Sequence, residues 1–395
     1  MSKRLVNGLL LFILTLSLTG CWDRTELNDL AIITAMAIDS EEDKQVKITI
    51  QFIIPQNQVG SMSISGGSGG GKRTTVRMAK GVDIANTLAN LQQILPRRLF
   101  WGQCKTIIFS DSLAKAGLKE HADYLVRQPQ IRERAYVFVA KGKASEALRL
   151  IPPLERNSSE VVRELAKMPI SYAVTVEQFS IMLNSRTKAL ALPLIYILPP
   201  VDPKEPTQTI PYIKGTAIFK NNKMIGEISE IETRGLLWIK NLIEKYTITF
   251  KLQNTDTLIS LTPVKAHVNL LPSLHNGQWK MTVKVKTSGD IVQNGSMLNP
   301  TDLAFLTELN HQFEEEVKGR IEFSVQEVQK KFKTDIFDFA TVFYRKYPKQ
   351  WEEVKEEWNE IFAHIEVNAE VDAHINRPGL VNWPSGVSNE EVQKQ

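Results

Sequence analysis

The clearest reactive residue in this 395-residue sequence is Cys21, because its thiol directly follows a segment typical of export signals. Lys3 and Arg4 give a positively charged start, and the run from Leu5 to Thr19 carries no charge. A short basic region followed by an apolar region is the pattern of a secretory signal peptide. The apolar run is also shorter than the roughly 20 residues of a membrane-spanning helix. We therefore predict that residues 1–20 are a signal peptide and that its cleavage leaves Cys21 first.

The residues around the predicted cleavage point also indicate what happens to this thiol. Leu18-Thr19-Gly20-Cys21 resembles a bacterial lipobox, in which a leucine and two small residues precede a lipidated cysteine. We predict that Cys21 carries a diacylglyceryl thioether with acyl chains such as palmitate. One acyl chain binds a membrane only marginally, so the two or more chains of such a lipid give a stable anchor. An ordinary secretory signal with a chance cysteine, or an uncleaved anchor, are the alternatives.

A second group of chemically versatile side chains lies on the last predicted strand, from His364 to Asn376. Apolar residues occupy one face of this strand. The polar residues share the other face: His364, Glu366, Asn368, Glu370, Asp372 and His374. Neighbours on one face of a strand lie about 6.6–6.8 Å apart, so they do not converge on one metal ion. We favour a solvated face whose acids pair with lysines of neighbouring strands, Lys265, Lys284 and Lys286. We predict no metal site here.

The remaining candidates for catalysis or ligand binding lack the required spacing. His121, His267, His275 and His311 are scattered without a zinc-ligand pattern. The glycine-rich tract 66–71 lacks the Gly-Lys-Ser/Thr ending of a phosphate-binding loop. No Gly-x-Ser-x-Gly motif is present, and Glu314-Glu315-Glu316 is predicted on an exposed helix face. We predict that the chain is not an enzyme and binds no cofactor.

Composition limits the partners and the means of stabilisation. Cleavage after residue 20 leaves 375 residues and, with Lys3 and Arg4 removed, lowers the formal charge from +4 to +2. A near-neutral protein gives no electrostatic argument for nucleic-acid binding. Cys104 is then the only cysteine besides the lipidated one, so no intrachain disulfide is predicted. Because it lies in the apolar run 104–109, we predict a buried structural thiol.

The hydrophobic pattern predicts a multidomain chain that combines α/β and α+β units, with mixed β-sheets packed against helices. Residues 21–200 alternate strands and helices, which is typical of an α/β domain. A segment with prolines at 199, 200, 203 and 206 predicts a stiff linker at 201–210. Residues 211–380 place strands before helices and predict an α+β domain, followed by a flexible tail at 381–395.

Three patterns specify elements within these domains. Leu30 to Ile38 and Val46 to Ile54 predict a β-hairpin, and Thr175 with Gln178 predicts a capping box. Two short strands, Ile213 to Phe219 and Met224 to Ile228, are predicted to open the second domain. A long helix is predicted to start at Asn299-Pro300-Thr301-Asp302 and to bury an apolar stripe: Leu306, Leu309, Phe313, Val317, Ile321, Val328 and Phe332.

The residues after the lipobox carry a more specific resemblance. Cys21-Trp22-Asp23-Arg24, Glu26-Leu27 and the strand that ends at Asp39 resemble the mature N-terminus of the C subunits of GerA-type spore germinant receptors. The resemblance extends over nearly all of Cys21 to Leu380. Further matching segments are Phe109 to Leu118, Asp123 to Arg127, Gln130 to Arg132, Ala135 to Gly142, Gly215 to Lys220 and Glu232 to Trp238.

This resemblance implies a non-enzymatic lipoprotein on the outer face of the spore inner membrane. It implies that the chain acts with integral-membrane A and B subunits in a receptor for nutrients. Germinants such as amino acids or sugars would then trigger the release of ions and dipicolinate. The family's C subunit has three domains, so either predicted domain could be subdivided. Only the lipidation residue Cys21 carries over, since no catalytic or ligand residue is established for the family.

Two other classes of function are weighed against this one. A solute-binding lipoprotein that delivers a small ligand to a transporter predicts two similar α/β lobes around a cleft, whereas the two halves here differ in organisation. A lipid-anchored hydrolase predicts a nucleophile or metal constellation that the sequence does not show. We therefore expect a receptor subunit that works through protein–protein contacts.

Overall fold

The computed structural model describes residues 26–53, 74–169, 171–244, 246–252, 256–296, 298 and 302–377. Predictions for the following segments fall outside these residues: the signal peptide 1–20, the lipidation site Cys21, the glycine-rich tract 66–71, residues 299–301 at the start of the long helix and the tail 381–395. No helix within the described ranges is long and apolar enough to cross a membrane.

The first sheet is built from nine strands. They are β1 Leu30–Ser40, β2 Val46–Ile53, β3 Thr74–Gly81, β4 Arg98–Phe100, β5 Thr106–Ser110, β6 Tyr136–Ala140, β7 Ala189–Ile197, β8 Pro211–Lys220 and β9 Lys223–Ile228. Their order is β3-β2-β1-β5-β6-β7-β8-β9, with β4 paired to β1. Parallel pairs join β1 to β4 and β5, β5 to β6, and β6 to β7, while the other pairs are antiparallel. The predicted hairpin and the mixed sheet are confirmed.

Helices cover both faces of this sheet. They are α1 Ile84–Gln93, α2 Asp111–Ala116, α3 Lys119–Arg127, α4 Ala144–Arg149, α5 Ser158–Lys167 and α6 Val176–Leu183. Met36 and Ile38 of β1 face the core that includes α1, α2, α3 and α6, whereas Ala35 and Ala37 face α4 and α5. Because both faces of the sheet are buried, the sequences of its central parallel strands are apolar at consecutive positions and do not alternate. The capping box at Thr175 is present.

The proline-rich segment 201–210 joins two neighbouring strands of one sheet. β7 and β8 pair antiparallel on either side of it, from Ala189 opposite Lys220 to Ile197 opposite Pro211. Thr209 Oγ1 closes the loop by donating to the Leu198 carbonyl at 2.8 Å. The strands at 213–219 and 224–228 were predicted to open the second domain, and the structure pairs both of them within the first sheet. The position of the domain boundary stays a prediction. Whether the two parts fold independently stays a prediction.

The second sheet and its helices follow from residue 230 onward. The elements are α7 Glu230–Ile239, β10 Ile248–Lys251, β11 Leu258–His275, β12 Gln278–Asn294, α8 Leu303–Phe332, α9 Phe339–Lys346, α10 Pro348–Val354, α11 Trp358–His364 and β13 Glu366–Arg377. The strand order is β10-β11-β12-β13, and only β13 pairs in parallel. We call residues 26–228 the first unit and residues 230–377 the second unit.

The long helix α8 covers one face of the second sheet. Five residues of its predicted stripe are fully buried: Leu309, Phe313, Val317, Ile321 and Val328. Its start differs from the prediction, since the N-cap is Asp302, whose carboxylate accepts from Phe305 N at 3.0 Å. Residues 299–301 lie outside the described ranges.

Polar side chains of α8 also cover the outer edge of β13. Glu322, Glu314 and Asn310 accept hydrogen bonds from the backbone N–H groups of Ala369, Ala373 and Ile375 at 3.1, 3.2 and 2.9 Å. An unpaired strand edge otherwise invites pairing with another chain. Glu314 was predicted on an exposed face, and this is wrong because its carboxylate satisfies the edge of the sheet.

Helices α7 and α8 cross at very short range. A Cβ added to Gly235 would lie 2.2 Å from Ser324 Cβ and 2.7 Å from the Arg320 carbonyl oxygen. Ser324 Oγ donates to the Glu232 carbonyl at 2.6 Å across this crossing. Only glycine allows the two backbones to come this close, and the contact fixes the position of the residues that follow α7.

Candidate functional site

The predicted lipidation residue Cys21 lies outside the described residues, which begin at Glu26. The described chain begins at Glu26, makes one turn of 3-10 helix at Leu27–Asp29 and enters β1. β1 lies between β2 and β5 in the first sheet, so the described chain begins next to a central strand of the first unit.

The polar row of the last strand forms part of the face of the second sheet that α8 does not cover. Lys280 pairs with Glu366 at 2.6 Å and Lys286 with Asp372 at 3.8 Å, in the register of β12 and β13. His374 Nε2 lies 3.0 Å from Asp372 Oδ1. The predicted pairing of lysines with these acids is confirmed at Lys286. We call the row Lys280, Lys284, Lys286, Glu366, Glu370 and Asp372 the polar sheet face.

One member of the predicted row lies elsewhere. His364 is the last residue of α11 and not part of β13, which begins at Glu366. The helix persists to this point because Trp358 and Phe362 pack into the core, whereas alternation alone could not reveal where the helix ended. Among the described residues, no group of three or more His, Cys, Asp or Glu side chains could hold a metal ion.

Cys104 is the buried structural thiol that the sequence predicts. It is 1% exposed, and burial raises the pKa of its thiol to about 12. A thiol with so high a pKa stays protonated and is a poor nucleophile.

Charged side chains converge instead in a cavity between the two units. The cavity has a volume of about 720 Å³, within the range of small-molecule sites. Its first wall comes from β7, α6 and the loops beside them in the first unit, and its second wall from the residues after α7 and around α9. We call this space the interface cavity; its charged lining residues are Arg186, Lys240, Asp335, Asp338 and Arg345.

The two acids of the interface cavity already have partners. Asp335 is 1% exposed and accepts from Phe339 N, Ala340 N and Trp358 Nε1 at 3.1, 2.7 and 3.1 Å. Burial raises the pKa of this carboxyl, while the backbone and indole donors oppose the shift. Asp338 accepts from Thr341 Oγ1 at 2.5 Å. Both carboxylates therefore organise the start of α9.

The three cations of the interface cavity have no such partners. Lys240, Arg186 and Arg345 form no ion pair or side-chain hydrogen bond with another described residue. The Arg186 guanidinium stacks 3.4 Å from the centroid of the Tyr344 ring. Burial lowers the pKa of Lys240, and the nearby Asp338 and Asp335 oppose this shift. A desolvated ammonium without a partner is unusual in a folded protein.

Sequence reasoning missed this cluster for a physical reason. Its members come from segments near residues 186, 240 and 335–345, so no local spacing links them. The one indirect signal is the segment Glu232 to Trp238, which contains Gly235 and ends two residues before Lys240. The sequence alone did not show that this glycine allows α7 to pack closely against α8.

Comparison with known proteins gives the class to which this fold belongs. Residues 23–197 match the family model described as spore germination protein N-terminal domain, and residues 214–379 match spore germination B3/GerAC like, C-terminal. Together these models span both units. The chain belongs to the GerAC-like family, the C subunits of spore germinant receptors.

Individual relatives agree over nearly full length. Spore germination protein KC of Bacillus subtilis (strain 168) is 28% identical over 402 residues, covering 97% of this chain and 98% of the relative. Spore germination protein B3 of the same organism is 23% identical, covering 94% and 97%. The crystal structure of the GerBC protein aligns with a TM-score of 0.57 at 19% identity, covering 86% of this chain and 96% of that chain. This last likeness shows a shared multidomain fold.

Proposed function

We propose that this chain is the lipid-anchored subunit of a nutrient germinant receptor and acts through assembly with integral-membrane A and B subunits. The observation that carries the proposal is the family match over both units, at residues 23–197 and 214–379. The proposed location is the outer face of the spore inner membrane, with Cys21 as the lipidated residue.

The anchor gives the assembly its physical basis. A diacylglyceryl thioether at Cys21 supplies the two chains that stable anchoring needs. Confinement to the membrane surface raises the effective concentration of the chain near integral-membrane partners, so contacts of modest affinity give a stable complex. The covered edge of β13 fits this function, because it directs association away from uncontrolled strand pairing.

Cys21→Ala tests the anchor, and Cys104→Ala is its matched control because Cys104 is the other cysteine of the chain. We expect wild type and C104A to partition into detergent and incorporate a labelled palmitate analogue. C21A should appear in the soluble fraction without label. Labelled C21A, or C21A that stays in the detergent phase, would show that another anchor exists.

Assembly is tested by affinity purification of the chain from detergent-solubilised spore membranes. We expect the A and B subunits to co-purify with wild type, and with C21A in smaller amounts. Nutrient-triggered release of dipicolinate should fall in C21A spores and recover partly when the soluble chain is overexpressed, because higher concentration offsets the lost tether. Wild-type chain that purifies without any integral-membrane subunit would overturn the proposal.

A further inference from the structure

The interface cavity has an imbalance of polar groups that assembly alone does not explain. Three cations line it without an ion-pair or side-chain hydrogen-bond partner among the described residues, while both of its acids accept hydrogen bonds from donors of the chain itself. We propose that the interface cavity is a binding site for a small organic anion, namely a carboxylate carried on a short apolar body.

The cations favour an anionic ligand over a cationic one. Lys240 loses hydration where it lies, and Asp338 and Asp335 attract it only from a distance, without an ion pair or a hydrogen bond to its ammonium, so an incoming anion would supply the direct partner. Arg345, in the helix α9 that follows Asp338, adds an exposed guanidinium to the cavity lining. Hydrogen bonds between ionised groups are stronger than neutral ones, and arginine matches the geometry of a carboxylate.

The more buried of the two acids is unavailable to a cationic ligand. All three donors of Asp335 come from buried groups at α9 and α11, so its carboxylate cannot turn toward a ligand without leaving them unsatisfied. Asp338 holds Thr341 in the first turn of α9. The cavity therefore offers unpaired positive charge and paired negative charge.

The uncharged lining specifies the rest of the ligand. Ile181 and Leu242 line the cavity and remain 63% and 46% exposed, which leaves apolar surface from each unit in contact with solvent. Met182 and Ile336 extend this surface. The Tyr172 hydroxyl, which donates to Met182 Sδ at 3.8 Å, also lines the cavity. Covering this apolar surface would favour an aliphatic body next to the anionic group.

A ligand in this position would contact both units at once. Arg186, Tyr172 and Ile181 belong to the first unit, and Lys240, Leu242 and Arg345 belong to the second. A molecule that binds only the folded arrangement stabilises it in proportion to the logarithm of its concentration over Kd. Occupancy would therefore fix the first unit relative to the second.

Hexanoate is a suitable probe because it joins a carboxylate to an aliphatic chain. Isothermal titration of the full-length chain in detergent should show saturable binding of one hexanoate per chain. Hexylammonium and hexanol, which match its apolar body with a positive or a neutral end, should bind at least about tenfold more weakly, since one charge-assisted hydrogen bond is worth that factor. Equal binding of all three probes would overturn the proposal, as would no binding of hexanoate.

Three variants locate the binding site. Lys240→Met keeps the approximate length of the side chain without its charge. Arg345→Gln removes the charge of an exposed residue, and Lys284→Met on the polar sheet face is the control. We expect hexanoate affinity to fall about tenfold or more in K240M and in R345Q, with K284M unchanged. Circular dichroism establishes that each variant is folded. Folded K240M and R345Q that both bind as wild type would contradict the assignment, whatever the outcome of the co-purification experiment.

Discussion

The interface cavity and the polar sheet face use the same residue types in opposite ways. On the polar sheet face, Lys280 and Lys286 lie opposite acids in register, and both members of each pair remain in contact with solvent. In the interface cavity, Lys240 is desolvated without an ion-pair partner, and Asp335 is buried against three donors. A charge on an open sheet loses little hydration and is screened by solvent. A charge in a cavity carries a large desolvation free energy unless it has a partner.

This difference predicts which of the two regions tolerates substitution. Surface ion pairs typically contribute between about 0 and 1 kcal/mol, so the polar sheet face is tolerant of substitution. Removing one partner from a buried charged network costs several times more. The same substitution, aspartate to alanine, should therefore separate the two regions clearly.

The largest expected effect is that of Asp335→Ala. It leaves the N–H groups of Phe339 and Ala340 and the indole N–H of Trp358 without their acceptor. Each buried donor left unsatisfied costs about 1–3 kcal/mol, so we expect a loss of about 3–5 kcal/mol in the free energy of unfolding, measured by urea denaturation. Asp372→Ala, on the polar sheet face, is the control and should cost less than about 1 kcal/mol. Similar losses in the two variants would remove the distinction between the regions.

A smaller loss of stability is expected at the crossing of α7 and α8, which positions one wall of the interface cavity. Gly235→Ala places a methyl group 2.2 Å from Ser324 Cβ, which must push α7 away from α8 and displace Lys240 at the end of α7. Overpacking of this kind costs about 1–3 kcal/mol.

Gly319→Ala is the matched control for Gly235, because an added Cβ there meets nothing within 4 Å. Alanine is favoured over glycine inside a helix, so G319A should stabilise the chain by up to about 1 kcal/mol. Thermal unfolding followed by circular dichroism measures both. A stable G235A variant would mean that the helix crossing adapts without cost.

Sequence predicted best the features that rest on local periodicity. The stripe of α8, the hairpin of β1 and β2 and the ion pair at Lys286 each follow from alternation or helical spacing between near neighbours. The sequence-based predictions failed where contacts between distant residues determine the structure. The strand after the prolines at 199–206 pairs with β7 in the first sheet, and the Glu314 carboxylate binds the edge of β13. The interface cavity combines residues from three distant segments, so only the folded chain shows it.

A still smaller effect concerns the pH dependence of Lys240. Because its pKa is lowered in the folded state, the unfolded chain binds more protons between the folded and unfolded pKa values. Stability contributed at this position therefore rises as pH increases through that interval. Lys240→Met should gain at most about 1 kcal/mol at neutral pH, and its advantage over wild type should shrink in alkaline buffer. Urea denaturation across pH measures the difference; an advantage that grows with pH would contradict the assigned sign.

The smallest expected effect lies on the polar sheet face, at the pair formed by Lys286 and Asp372. The two atoms, Nζ and Oδ2, are 3.8 Å apart, and the side chains are 67% and 47% exposed. Asp372 also has His374 Nε2 at 3.0 Å as a second neighbour, so losing the lysine does not isolate the acid. A double-mutant cycle with Lys286→Met and Asp372→Asn should give a coupling energy below about 0.5 kcal/mol, which salt reduces further. A coupling above about 1 kcal/mol that persists in high salt would show that this face is less solvated than its exposure indicates, and the contrast with the interface cavity would narrow accordingly.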